Sequence, residues 1–363
     1  MAIPTTGENG ENKASQDPIR VERVGVDRTE DILRMLRAAA QWMVDNGIRQ
    51  WSPDQFTAKE IAGYFDEREV YLAFDGETPV GLFTLQFGDP QYWGNKNDDA
   101  FAYLHRLTVA GPYRGSGLGE QMIMFAAKQA LKLGHKGLRL DTVAHNVKLN
   151  RYYQSLGFRY QGTNDAGGGR LVNLYQYHEN SEDPDDILLR YFSVADFPLL
   201  QSWSLSPDFL KQWAGPSLTY PLDDEQLQKY MENTNHPAQS SLLIYSAVHR
   251  GSGKVVGHVS LSQINREDSH ARISRLVVDP QFRGRGIGSR MLQEALRIGF
   301  AGLGLHRLAL SVFDFNTGAR KSYEAAGFVH EGTQREAALI GGRYVDCLEM
   351  SLLSREWQEL SQA

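Results

Sequence analysis

The chain has 363 residues, 41% hydrophobic and 23% charged, an ordinary soluble composition and a length that suits two domains with a core each. A formal net charge of −6 and a sequence pI near 6.0 argue against a general nucleic-acid binder, whose surface is basic, and fit either plain solubility or a cationic substrate. One cysteine excludes an internal disulfide and favours a reducing compartment; with no apolar run of about 20 residues and no basic-then-apolar leader, a cytoplasmic location is expected.

Residues 1–19, rich in Gly, Glu, Asn, Ser and Thr, read as a disordered tail. A first domain is expected over 20–178. It opens on an alternating strand from Ile19 to Val26 and a helix from Thr29 to the Asn46-Gly47 stop. A short helix over Lys59 to Phe65 follows. Strands over Val70–Phe74 and Val80–Leu85 flank the Asp75-Gly76 hairpin signal. After a loop (Gly88 to Asp99) come a strand from Phe101 to Val109, a helix from Gly119 to Leu133 and a strand over Leu138–Asp141. A helix between Asn146 and Gly157 and strands from Phe158 and over Leu171–Tyr177 close the domain. Residues 179–186, acidic with one proline and otherwise no apolar residue, are expected to form a linker.

A second domain, 187–357, repeats this order. Strands are expected at Ile187–Phe192, Leu242–Val248, Val255–Leu261, Ala271–Val278 and Leu308–Val312, with two final strands near Phe328–Glu331 and Arg343–Leu352. Helices are expected at Ala195–Leu205, Asp224–Asn233, Gly286–Phe300 and Thr317–Ala326. Few strand-helix-strand units occur, so each half should be an α/β (α+β) domain with a mixed sheet flanked by helices. Cys347 falls in a strand-like segment and reads as a packing residue.

Both halves carry one motif, 169 residues apart (Arg114 to Arg283). The first copy runs from Arg106 through Leu107 and Val109 to Arg114-Gly115-Ser116-Gly117-Leu118-Gly119. The second runs from Arg275 through Leu276 and Val278 to Arg283-Gly284-Arg285-Gly286-Ile287-Gly288. A period this long marks a duplicated domain, not a solenoid, whose repeats span about 20–50 residues. Strand, turn, Arg-Gly-x-Gly-x-Gly and helix describe an anion site. The first N–H groups of a helix lack intrahelical partners, the helix dipole adds positive charge, and glycines let a ligand approach the backbone. A P-loop would end in Gly-Lys-Ser/Thr, and a dinucleotide fingerprint would follow the first strand of its unit; neither holds here.

Each loop is followed by an asparagine, a tyrosine seven residues later, and Gly-Phe: Asn146, Tyr153, Gly157-Phe158 and Asn316, Tyr323, Gly327-Phe328. Seven residues are about two helical turns, so each pair shares a helix face. A capping asparagine and a core tyrosine would account for either set alone; the shared spacing behind a shared loop favours a functional pair.

This combination resembles the GNAT superfamily of acyl-CoA-dependent N-acyltransferases, once per half. The closing Gly341-Gly342-Arg343-Tyr344-Val345-Asp346…Glu356-Trp357 is similar to the ribosomal-protein and polyamine acetyltransferase branch. The tandem arrangement resembles acetyltransferases that act on amine-rich peptide antibiotics in self-resistance of the zwittermicin and paenilamicin type. The resemblance implies a signature strand splayed from its neighbour, with main-chain groups of Leu107, Val109, Leu276 and Val278 on the pantetheine arm of acetyl-CoA. It implies the diphosphate on residues 114–119 and 283–288, Asn146 and Asn316 against the cofactor, and Tyr153 and Tyr323 as acids for the departing thiolate. A phenol, with a pKa of about 10, suits that role. No metal is implied, since no His, Cys and carboxylate set has ligand spacing.

The base that deprotonates the amine is not evident. Related enzymes often carry a glutamate on the signature strand, and neither copy has one. His105 is a candidate in the first copy, although a hydrogen-bonding role suits it too. Asp98, Asp99, Glu267 and Asp268 read as solvated loop charges. Chemistry is expected in the second half, where Arg283, Arg285 and Arg320 add positive charge for phosphates. The expected reaction is direct acetyl transfer to a primary amine of a small or peptidic cation, an antibiotic among the candidates. An acyl-CoA-binding sensor without turnover, and a protein N-terminal or polyamine acetyltransferase, are the alternatives.

Overall fold

A computed structural model describes residues 18–48, 50–177, 183 and 185–362. Residues 1–17 of the tail expected over 1–19, and the linker residues 179–182 and 184, lie outside them. The chain divides into two compact units, residues 1–88 with 98–138, and residues 89–97 with 139–363.

In the first unit, strand β1 (Arg20–Arg23) leads into helices α1 (Thr29–Asp45) and α2 (Ala58–Glu67), then strands β2 (Glu69–Asp75) and β3 (Thr78–Gln86). The Thr57 hydroxyl opens α2 by accepting from the Glu60 N–H at 3.2 Å. Helix α3 (Pro90–Trp93) belongs to the second unit, and strand β4 (Ala102–Val109) and helix α4 (Leu118–Lys132) return to the first. Strands β1 to β4 pair antiparallel in sequence order. Helices α1 and α2 bury Ile32, Leu36, Ile61 and Tyr64 against Val70, Leu72, Phe74 and Leu82 on one sheet face. Helix α4 covers the other, with Phe125 edge-on to Tyr71 and Phe83.

The second unit continues with β5 (Leu138–Val143), α5 (Val147–Ser155) and the antiparallel pair β6 (Phe158–Asp165) and β7 (Leu171–Tyr177). Next come β8 (Ile187–Tyr191), α6 (Phe197–Trp203), α7 (Pro207–Ala214), α8 (Asp224–Tyr230), β9 (Leu243–His249), β10 (Lys254–Asn265) and β11 (His270–Val278). Helix α9 (Ile287–Arg297), β12 (Arg307–Phe313), α10 (Thr317–Ala325), β13 (Val329–Ile340), β14 (Arg343–Leu353) and α11 (Ser354–Gln362) complete it. Each half of the chain forms a seven-stranded mixed sheet, and the two share one strand order; in the second it is β8-β9-β10-β11-β12-β14-β13. Helices α6 to α8 bury Leu200, Trp203, Leu210 and Leu227 on one face of this sheet with Ile244 and Val277. Helix α9 lies on the other, so close that a Cβ on Gly257 would fall 2.6 Å from the Met291 sulfur.

Segments of the first half pack on the second sheet inside this unit. The Gln154 side-chain oxygen accepts the Tyr191 N–H at 2.9 Å, occupying an edge-strand donor that would otherwise need water. Arg159 pairs with Asp186 at 2.6 Å, and Arg297 donates to the Tyr160 carbonyl at 2.7 Å.

Several elements differ from expectation, among them helix α3, which falls within the expected loop from Gly88 to Asp99. Helix α7 was not anticipated, although Ser206 caps it by accepting from the Phe209 N–H at 3.1 Å and Pro207 fills its first turn. A helix of eight residues has little periodicity to read. Strand β13 runs on to Ile340, through Gln334, Arg335 and Glu336, because its pairing with β14 and not an apolar alternation defines it. Helix α11 carries the fold past Trp357. Cys347 is half-buried on β14, opposite Phe313 and Gln334, and burial raises its thiol pKa, which suits a packing residue.

Candidate active site

The second copy lies wholly in one unit and shows its geometry directly. Strand β11 pairs in parallel with β12 only from His270 to Arg272, opposite Arg307 to Ala309. Beyond that point β11 stays on β10 as far as Val278, and β12 stays on β14 as far as Phe313. The two strands therefore part, as expected of a splayed pair. The β10 register slips between His258 and Ser260, so that Arg275 and Leu276 together face Val259. This is a bulge, and Arg275 sits in it with φ of 51°, a left-handed conformation unusual for a long side chain. Strand β4 has the same slip between Leu82 and Thr84, with Arg106 at φ 56°.

The loop after β11 fits the diphosphate of an acyl-CoA. Gly284 and Gly286 both take left-handed φ values, 77° and 76°, and a Cβ built on either would meet nothing within 4 Å. No side chain caps α9 at Gly286, so its first N–H groups keep their capacity for an anion. Gly115 and Gly117 repeat the conformation ahead of α4, at 78° and 86°, and Gly117 also lacks a side-chain cap. The leading arginine of each loop is tied back to its strand: Arg283 Nε donates to the Val278 carbonyl at 3.2 Å, and Arg114 Nε to the Val109 carbonyl at 3.3 Å. Arg114 also stacks 4.0 Å above the Trp42 ring, and burial lowers its pKa. Arg285 lies over Phe282, whereas its counterpart Ser116 donates to the Tyr113 carbonyl at 2.6 Å. The remaining members, Leu118, Gly119, Ile287 and Gly288, start the two helices; the leucine and isoleucine are buried under them.

Both asparagines cap helices. Asn316 Oδ1 accepts from the Ala319 N–H at 3.3 Å, and Asn146 Oδ1 from the Leu149 N–H at 3.0 Å. The tyrosines two turns on differ in access. Tyr153 is 8% exposed, packed edge-on against Phe158, and burial raises its pKa far above the phenol range. Tyr323 is half-buried near Phe328, its pKa pushed up to about 12 by burial. Each helix ends at a glycine with left-handed φ, Gly157 at 99° and Gly327 at 94°.

On the face of β11 under α6 to α8, three serine hydroxyls meet. Ser274 Oγ lies 2.9 Å from Ser260 Oγ and 2.8 Å from Ser262 Oγ. His105 is the residue 169 positions before Ser274; it is half-buried and opposite Thr84. Asp98, Asp99, Glu267 and Asp268 are exposed loop residues, as read from the sequence. Residues given no role in the sequence reading stand beneath the bulges. His258, 1% exposed, has its Nε2 3.2 Å from the Tyr230 hydroxyl; burial, then the Arg275 charge, pushes its pKa down to about 3. Arg275 lies 4.6 Å over the Tyr230 ring, and Arg106 Nε donates to the Tyr64 hydroxyl at 3.1 Å. The duplicated Arg-Leu-x-Val was the signal available for the two arginines.

Residues 35–158 and 205–328 each match the acetyltransferase (GNAT) family, and the chain belongs to that family. By class it is an acetyl-CoA-dependent N-acetyltransferase built from two tandem GNAT domains. A spermidine N(1)-acetyltransferase of Vibrio cholerae is 26% identical over 176 residues, 48% of this chain and 98% of that protein. An uncharacterized N-acetyltransferase of Bacillus subtilis, YesJ, is 28% identical over 148 residues, 39% of this chain and 82% of its own length. A crystal structure of the Vibrio cholerae spermidine N-acetyltransferase with CoA and spermine aligns over 48% of this chain and 98% of its own, at 24% identity and a TM-score of 0.42. Among the described residues no helix is long and apolar enough to cross a membrane.

Proposed function

We propose that the chain acetylates a primary amine of a small cationic molecule, with a polyamine first among acceptors and an amine-bearing peptide antibiotic second, and that its second copy is a working site. The observation that carries the reading is the uncapped N-terminus of α9, led by two left-handed glycines and set beside a strand that leaves its neighbour. The named spermidine N(1)-acetyltransferases among the relatives and the net charge of −6 support the choice of acceptor.

When bound, acetyl-CoA supplies an acetyl group activated as a thioester. Residues 283–288 would hold the diphosphate through main-chain N–H groups, and Leu276 and Val278 would offer their main-chain groups to the pantetheine arm. Asn316 fixes the start of the helix that carries Tyr323. That phenol stays protonated through neutral pH and keeps a proton on Oη for the departing sulfur. The hydroxyls of Ser260, Ser262 and Ser274 form a chain along which the acceptor nitrogen can lose its proton toward water. The first copy carries the same parts, Leu107, Val109, Arg114 to Gly119, Asn146 and Tyr153.

The test mixes the full chain with acetyl-CoA and spermidine, spermine or an amine antibiotic and measures released thiol, with the acetylated product identified by mass. Turnover on polyamines supports the reading, and turnover on the antibiotic alone moves the acceptor. Tight acetyl-CoA binding without product across the panel favours the sensor alternative, which the lack of a titratable side chain at Ser274 makes concrete.

A further inference from the structure

We infer that Arg275 and Arg106 are positioning residues, each serving as a peg that pins the bulge of its signature strand to the helix above and so holds the acyl-donor cradle open. The inference rests on the reading that the cradle takes acetyl-CoA.

A left-handed φ strains any residue with a Cβ, and such strain persists only where the surroundings fix it. Glycine would fill these positions without strain, and both copies carry arginine, 169 residues apart. The side chain must therefore serve a purpose that offsets the conformation. In the second unit the guanidinium lies 4.6 Å over the ring of Tyr230, from α8, and its Nη2 donates to Ser217 Oγ at 2.7 Å. Tyr230 in turn meets His258 of β10 at 3.2 Å, so the bulged strand, its neighbour and the covering helix are joined at one point.

The first unit reaches the same end with other residues. Arg106 Nε donates to the Tyr64 hydroxyl at 3.1 Å, and the guanidinium lies 5.4 Å from the Phe56 ring and 5.6 Å from that of Trp51. Glu60 stands 3.7 Å away. Among these partners, the feature common to both copies is an arginine at positive φ held by a tyrosine from the last helix before the sheet resumes, α2 or α8. Shared form with different surroundings is what selection on the bulge itself would leave. Each bulge arginine lies one residue after the signature-strand position occupied by Ser274 or His105 and three before the strand's last residue, between the acceptor-side residue and the glycine loop. Its rotation fixes where Leu276 and Val278, or Leu107 and Val109, direct their main-chain groups.

The experiment uses the full chain with Arg275→Gly, Arg106→Gly, the double variant and Arg275→Lys. Glycine accepts the backbone conformation, so these proteins are expected to fold, which thermal melts check. Calorimetry with acetyl-CoA should show about tenfold weaker binding at the altered copy, the scale of one desolvated cation–π contact, and recovery of most of the loss in Arg275→Lys, which keeps the cation over Tyr230. Hydrogen exchange without ligand should be faster at Leu276 and Val278 in Arg275→Gly. Wild-type affinity and unchanged exchange in the glycine variants would overturn the inference. If the unsubstituted chain gives no heat with acetyl-CoA, the cradle reading fails instead, and the ligand-free exchange still decides whether the arginines hold the strand.

Discussion

The two signature strands agree in backbone and differ in the chemistry they present. Both carry a bulge with an arginine at positive φ, a leading arginine tied to the strand's last carbonyl, and two left-handed glycines before an uncapped helix. They differ where the strand faces the covering helices: an imidazole in the first copy, His105, and a hydroxyl in the second, Ser274. The tyrosines differ as well, Tyr153 being buried and Tyr323 half-buried. Parts defined by main-chain conformation have been kept after duplication, because a diphosphate is recognised by N–H groups that every residue has and only the conformation can misplace. Side chains that meet an acceptor are free to diverge.

The comparison can be broken most directly at the tyrosines. Tyr323→Phe is expected to lower kcat for thiol release by about 100-fold, the usual scale for loss of a general acid, while Tyr153→Phe changes it little. Equal losses would show that both copies turn over, and no loss in either would remove the acid role. Next is the loop. Gly286→Val puts a β-branched residue at φ 76°, so the free loop is expected to relax out of that conformation, and restoring it for the ligand would cost about 1–2 kcal/mol, roughly tenfold weaker acetyl-CoA binding by calorimetry. Gly117→Val should do the same at the other copy, so the two variants count the sites.

A smaller effect separates the acceptor sides. His105→Ser gives the first copy the second copy's residue; made in a Tyr323→Phe background, it should lower the remaining thiol release about tenfold where the imidazole meets the acceptor. Unchanged release assigns His105 to packing. The smallest expected effect concerns stability. His258 is buried with its folded pKa depressed to about 3, so the unfolded chain takes up a proton first as pH falls below its ordinary value of about 6.5. The stability from keeping it neutral is complete above that value and is lost progressively as pH falls toward 3. His258→Gln should therefore flatten the fall of Tm between pH 7 and 5 by a few degrees, seen in thermal melts. A parallel fall in both proteins would place the acid sensitivity elsewhere.

Much of this was legible in one dimension where a signal is local. The Asn46-Gly47 stop, the Asp75-Gly76 hairpin and the caps at Asn146 and Asn316 act through their own side chains and neighbours, and each falls where the sequence put it. Helix α7 escaped because about two turns of helix show too little periodicity to stand out from a loop, and β13 because an edge strand held by its partner needs no apolar alternation. The clamp of Arg275 by Tyr230 joins residues 45 positions apart whose spacing carries no period, so no pattern could pair them.

Residue order alone marks the chain as a duplication, ends a strand of each half in a glycine loop before a helix, and sets an asparagine and a tyrosine two turns apart. These are properties of spacing and of glycine, which act within a few residues. How far β11 follows β12, where the bulges fall and how deeply each tyrosine is buried could be read from the folded chain alone. Those depend on strand register and on helices laid across the sheet, where packing between distant segments and not local preference sets the outcome.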